Sequence, residues 1–140
     1  MGFDIVGGGG GGGGAFPVGR FWWVTLADYS HHVAPSIAAA CRYWYSNDED
    51  GLDADQARQL GAELQRSVDN CVVDAYAREY FAYLRKENNL PDFPQYDESD
   101  VFLPRKLTTH EQERVFVNEF VAEVQRFIEF LLACDGFAIL

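Results

Sequence analysis

Basic residues are scarce in this chain. Lys and Arg number 11 against 22 Asp and Glu, a formal net charge of -11. A surface that grips phosphates needs an excess of positive charge, so neither nucleic acid nor an anionic membrane is expected as a partner. Cysteines are three, Cys41, Cys71 and Cys134. Their odd number and wide spacing describe neither a disulfide framework nor a zinc knuckle. Buried free thiols in a reducing, cytoplasmic setting are the plain expectation. No apolar run is long enough to span a bilayer. Asp4 stands in any N-terminal signal segment, no basic stretch precedes it, and Val6 occupies the position where myristoylation wants Ser or Thr. A nucleophile elbow, an H-E-x-x-H helix and a Walker loop are all missing.

Aromatic residues, by contrast, are plentiful: 11 Phe, 7 Tyr and 3 Trp in 140 residues. A chain of this length buries roughly two thirds of its unfolded surface, enough for one bulky core. We expect a single domain over 1–140, mainly α, with four to five helices packed around the C-terminal one. Thr108 and Glu111, or Thr109 and Gln112, have the spacing of a reciprocal helix cap. Val117, Phe120, Val121, Val124, Ile128 and Leu131 then recur at steps of three and four, which lays them on one helical face. Phe116, Phe127, Phe130 and Leu132 widen that stripe, and Gly136 can take the left-handed conformation that stops a helix.

The remaining segments follow from similar signals. Phe3 to Val6 reads as a strand, and Phe137 to Leu140 as another that could pair with it and close the chain ends. Gly7 to Gly14 is an unbroken glycine run, a flexible loop by composition that matches any bare glycine motif trivially. A helix is expected from Phe21, interrupted at Pro35, with a second piece over Ser36 to Tyr45 that turns Ile37, Cys41 and Trp44 one way. Asp53 and Gln56 cap the next helix, whose buried face includes Gly61, a sign of close approach by another element. A further helix runs from about Cys71 to Lys86, with Tyr76, Tyr80 and Phe81 inward. Residues 88–107 hold Pro91, Pro94 and Pro104 and read as an irregular connection.

Three groups of residues could carry function. The acidic loop offers Ser46, Asp48 and Asp50 at the first, third and fifth positions of a calcium loop, with Gly51 at the sixth. Ala57 stands where the bidentate Glu belongs, so a solvated turn is the simpler reading. Asp28, His31 and His32 share a helical face, and a carboxylate with two imidazoles could hold a divalent metal or exchange a proton. Further ligands would have to come from His110, Glu111 or Glu113; two surface histidines near a helix end are the alternative. Trp22 and Trp23, with Tyr43, Trp44 and Tyr45, form the third group: two adjacent tryptophans cannot both face the core of one helix, and exposed Trp and Tyr are typical of binding hot spots, packing at the rim of a bulky core being the alternative.

Met1-Gly2-Phe3-Asp4-Ile5 with Gly7, the Trp22-Trp23 and Asp28-Tyr29 stretch, Ser46-Asn47-Asp48 with Gly51-Leu52-Asp53-Ala54, Ala75-Tyr76-Ala77 with Glu79-Tyr80, and Phe127 to Leu131 before Gly136-Phe137-Ala138-Ile139 fall in one order. In that order the chain resembles a family of small uncharacterised bacterial and phage proteins. The resemblance implies a bacterial, cytosolic context and no mechanism. Many such proteins carry paired cysteines for zinc in the middle connection; residues 88–107 contain none, so that site does not carry over. The expected function is a non-enzymatic intracellular protein-binding domain, with binding through Trp22, Trp23 and Trp44 and no required cofactor. Two alternatives stand beside it: a metal-dependent enzyme using Asp28, His31 and His32, perhaps with Asp48 and Asp50, and an acidic DNA mimic whose carboxylates imitate phosphates.

Overall fold

Helix α5 (Thr109–Ala133) is the longest element, and its two ends show why it holds its place. The Thr108 hydroxyl accepts from the Glu111 N–H at 3.2 Å, and the Glu111 carboxylate accepts from the Thr108 N–H at 3.0 Å, so two orphan donors of the first turn are satisfied reciprocally. Past its C-terminus, Gly136 at φ 89° turns the chain into a strand. Phe116, Val117, Phe120, Val124, Phe127, Ile128 and Leu131 are buried along α5, as the three-and-four spacing predicts. Leu132 departs from that stripe and is 53 % exposed.

The computed structural model describes residues 3–8, 14–46, 48–87, 96–97 and 105–140. In chain order they form β1 (Ile5–Gly7), β2 (Ala15–Phe16), α1 (Arg20–Val33), α2 (Pro35–Ala38), β3 (Asp50–Asp53), α3 (Ala54–Asp69), α4 (Val72–Lys86), β4 (Tyr96–Asp97), β5 (Arg105–Lys106), α5 and β6 (Gly136–Ile139). The protein is mainly helical with a small antiparallel sheet. That sheet has the order β2-β1-β6-β3, and the C-terminal strand lies at its centre. Ile5 faces Ile139 and Gly7 faces Phe137 on one side of β6; Leu52 faces Phe137 on the other. The pairing of the chain ends is therefore present, with β3 as an additional strand drawn from the segment that reads as an acidic loop. Among 9–13, the core of the glycine run, nothing is described; at its base the Gly7 N–H donates to the Gly14 carbonyl at 3.0 Å. The connection expected to be irregular lies mostly outside the described residues, but β4 and β5 within it pair antiparallel.

Period-two alternation turns Ile5, Leu52, Phe137 and Ile139 inward. They meet Trp23, Trp44 and Phe127, with ring centroids of Phe137 at 6.2 Å, 5.8 Å and 6.4 Å from the three. Helix α5 packs chiefly on α3 and α4. Gly61 marks the first of these crossings: a Cβ there would lie 2.9 Å from Leu132 Cδ2, so the glycine does signal close approach. Helix α3 carries the expected Asp53–Gln56 cap, with bonds of 2.8 Å and 3.0 Å. The expected helix over 36–45 is not formed. Pro35 starts a helix as predicted, but α2 ends at Ala38, where the Ala38 carbonyl accepts from the Cys41 N–H at 3.1 Å and from Trp44 Nε1 at 2.8 Å. That tightened turn folds Trp44 back into the core and leaves Tyr43 and Tyr45 outside.

Candidate functional site

Helix α1 has two differently used faces. One side carries Trp23 and Ala27 into the interior, each 0 % exposed. Trp23 stacks on Trp44 at 5.5 Å, and its Nε1 donates to the Trp44 carbonyl at 2.7 Å. Both indole N–H groups are thus satisfied inside the protein, and neither Trp23 nor Trp44 presents a surface to a partner. Trp22 alone of the three is half-buried, stacked on Phe116 at 5.7 Å. The expectation that all three tryptophans form a binding surface is corrected for Trp23 and Trp44: large rings whose polar atoms find internal acceptors bury at no hydrogen-bonding cost.

The other side of α1 carries Asp28, and here aromatic residues gather at the surface. Asp28 Oδ1 accepts from the Tyr45 hydroxyl at 2.5 Å, and Oδ2 accepts from the Tyr80 hydroxyl at 3.3 Å. Buried Thr25, one turn earlier, donates to the Tyr80 oxygen at 3.4 Å. The carboxylate therefore bridges the segment after α2 to helix α4. Rings extend outward on both sides of it. His31 stacks on Tyr45 at 6.1 Å, with its Nδ1 2.7 Å from the Ala27 carbonyl. His32 packs on Tyr76 at 4.7 Å, Tyr76 stacks on Tyr80 at 5.8 Å, and Tyr80 continues to Tyr83 at 6.5 Å. Tyr76, Tyr80 and Tyr83 lie at steps of four and three along α4, which is why they share a face.

Electrostatics keep these phenols neutral. Burial, followed by the Asp28 hydrogen bond and charge, raises the pKa of Tyr45 well above its usual value. Tyr76 is raised by burial and then by the Asp28 charge. Tyr80 is raised by burial and by Asp28, against the opposing effect of its bond with Thr25. A neutral phenol beside a carboxylate is a donor, and Tyr45 and Tyr80 both donate to Asp28.

The metal expectations fare differently. Among the described residues no group of three or more His, Cys, Asp and Glu stands close enough to hold an ion. Asp28 spends two acceptor positions on tyrosines, and His31 turns one nitrogen to its own helix. His110 and Glu113, the distant donors, line a separate groove of about 350 Å³ between α4 and α5 together with Asp74, Arg78 and Arg114. Asp50 is structural: its carboxylate accepts from the backbone N–H groups of Arg42, Tyr43 and Gly51 at 2.6 Å, 3.1 Å and 2.9 Å. Burial opposes its ionisation, but those three donors outweigh it and lower its pKa. Asp48 accepts from the Ser46 hydroxyl at 2.5 Å. Asp50 thus ties the backbone at 42–43 to the start of β3.

Sequence reasoning placed Tyr76 and Tyr80 in the core and passed over Thr25. The signal for a rim was residue type: tyrosine where a buried stripe would use phenylalanine. No family model matches the chain, and no curated protein or solved structure is similar to it at a significant level.

Proposed function

We propose that the protein is a non-enzymatic, intracellular protein-binding module and that its docking face is the tyrosine rim around Asp28. One observation carries this reading. The chain buries Trp23, Trp44, Phe81, Phe120 and Phe127 almost completely, yet leaves Tyr45 49 % and Tyr83 58 % exposed beside half-buried Tyr76 and Tyr80. Tyrosine supplies a large rigid contact with a polar tip at small entropic cost, which is why it dominates binding surfaces. The rings also brace one another, so the surface is organised before a partner arrives, and pre-ordering lowers the cost of association.

A photo-crosslinking side chain at position 45 or 83 tests the reading in cells. We expect a covalent adduct of one defined mass from either position and none from exposed Glu129. Adducts absent at both, or equally abundant at Glu129, would refute it.

A further inference from the structure

Away from the rim, the groove between α4 and α5 gathers charges of both signs. Asp74 and Arg78 are one helical turn apart on α4, and His110, Arg114 and Asn118 follow at steps of four on α5, which lays each set along one face. With Glu113 and buried Val117 they line a cavity of about 350 Å³. Elsewhere on the helices an arginine is bonded to an acid three residues before it, as in Arg58–Asp55, Arg66–Glu63 and Arg126–Glu123. Asp74 and Arg78 have the spacing and order that favour such a pair. Among the described residues, however, no ion pair includes Asp74, Arg78, Glu113 or Arg114. Two guanidinium groups and two carboxylates thus border one space without neutralising one another.

We infer that this groove binds a small zwitterion, a molecule that carries both a carboxylate and an ammonium group. The bordering charges select that class. A ligand with a carboxylate alone would gain Arg78 and Arg114 but meet Asp74 and Glu113 as like charges, and a ligand with an ammonium alone would meet the reverse. A zwitterion sets each end against the opposite charge, and the paired N–H groups of a guanidinium match the two oxygens of a carboxylate. The Asn118 amide and the His110 ring add hydrogen-bonding groups at the border. The cavity lies at the lower end of the range for small-molecule sites, roughly 300–1,000 Å³, which suits a ligand of amino-acid size. The groove is separate from Asp28, so it stands whether or not the tyrosine rim docks a partner.

The probes are free glycine, γ-aminobutyrate and ε-aminocaproate, which hold the two charges at increasing separation, with butyrate and butylamine as the single-charge analogues. Side-chain resonances of Arg78, Arg114 and His110 in the intact protein report binding. At least one zwitterion should shift them saturably and bind more weakly as salt is added. It should also bind about tenfold better than butyrate or butylamine, the usual weight of a charge-assisted bond. Arg114→Gln and Glu113→Gln should each weaken binding by a similar factor, whereas Arg85→Gln, on α4 but outside the groove, should not. If a groove variant misfolds, the contrast among probes on the wild type decides alone. Butyrate binding as well as the best zwitterion overturns the inference in favour of an anion site, and butylamine doing so overturns it in favour of a cation site. It falls equally if no zwitterion shifts the three side chains, or if Arg85→Gln weakens binding as much as Arg114→Gln.

Discussion

The two faces of helix α1 spend the same residue class in opposite ways. Toward the sheet, Trp23, Trp44, Phe127 and Phe137 lock together with every polar atom turned to a backbone carbonyl. Toward α4, Tyr45 and Tyr80 turn their hydroxyls to the Asp28 carboxylate, whose charge also reaches Tyr76. The first arrangement excludes water and stabilises; the second holds partly exposed rings ready at modest cost. What separates them is the destination of the ring's polar atom, since an internal acceptor permits full burial and a charged side chain at the rim does not.

The sharpest way to break the contrast is to empty the dry face. Trp23→Ala removes a fully buried ring and leaves the Trp44 carbonyl without its donor. The expected loss is about 3–5 kcal/mol of unfolding free energy, measured by urea denaturation, with the Tyr45 and Tyr80 resonances unchanged in any fraction that remains folded. Next in size comes the sheet that covers this face. A Cβ at Gly51 would stand 1.7 Å from the Phe137 carbonyl oxygen, far inside contact distance. Gly51→Ala should therefore cost about 1–3 kcal/mol as β3 is pushed off β6, and faster amide exchange at Leu52 and Phe137 is the readout.

Much of the dry face was legible in the residues. The α5 stripe, the caps at Asp53 and Thr108, the close approach at Gly61 and the pairing of the chain ends all follow from spacing and local chemistry, which act within a few residues. Two failures share a cause. The helix expected over 36–45 gave way because Trp44 Nε1 reaches back to the Ala38 carbonyl, a contact decided by the position of Trp23 on another element. The strand at Asp50–Asp53 hides in a polar loop because its register comes from β6, more than 80 residues away. The rim was legible only in part. Asp28, His31 and His32 attract notice as one group and Tyr45 as part of another, but that the two groups meet, and meet Tyr76 and Tyr80, depends on how α1 lies against α4 and the segment after α2. No local period encodes that meeting.

Proton equilibria sharpen the comparison further, because the two ends of the pH scale act on different parts. Tyr45, Tyr76 and Tyr80 have folded pKa values raised above the unfolded phenol's, so both states bind the proton equally below about pH 10. Above it the unfolded chain ionises first. Stability then falls with rising pH up to the raised folded values, and part of the phenolate absorbance should appear only as the protein unfolds. Asp50 behaves in the opposite sense. Its folded pKa is lowered, so its contribution is present above the ordinary aspartate range, about pH 4, and is lost as pH falls through the folded value. Amide exchange in acid should accordingly rise first at the backbone donors of Arg42, Tyr43 and Gly51, and Asp50→Asn should flatten that dependence.

The smallest expected effect is the most telling about the rim. Tyr45→Phe removes one hydroxyl from a residue that is 49 % exposed and leaves its ring stacked on His31. Water can replace the lost donor at Asp28, so the cost in stability should stay below about 1 kcal/mol. A double-mutant cycle with Asp28→Asn isolates the pair. Coupling of a few tenths of a kcal/mol is the expected result for an exposed polar contact, well below what Trp23 and Trp44 should show in the same cycle. If the two cycles gave equal coupling, the rim would be a structural clasp holding the 39–46 segment to α1, and its tyrosines would owe their positions to folding instead of to a partner. A small coupling together with a large loss of crosslinking in Tyr45→Phe, read from position 83, would instead separate the two uses of one helix: burial for stability on one face, exposed tyrosines for recognition on the other.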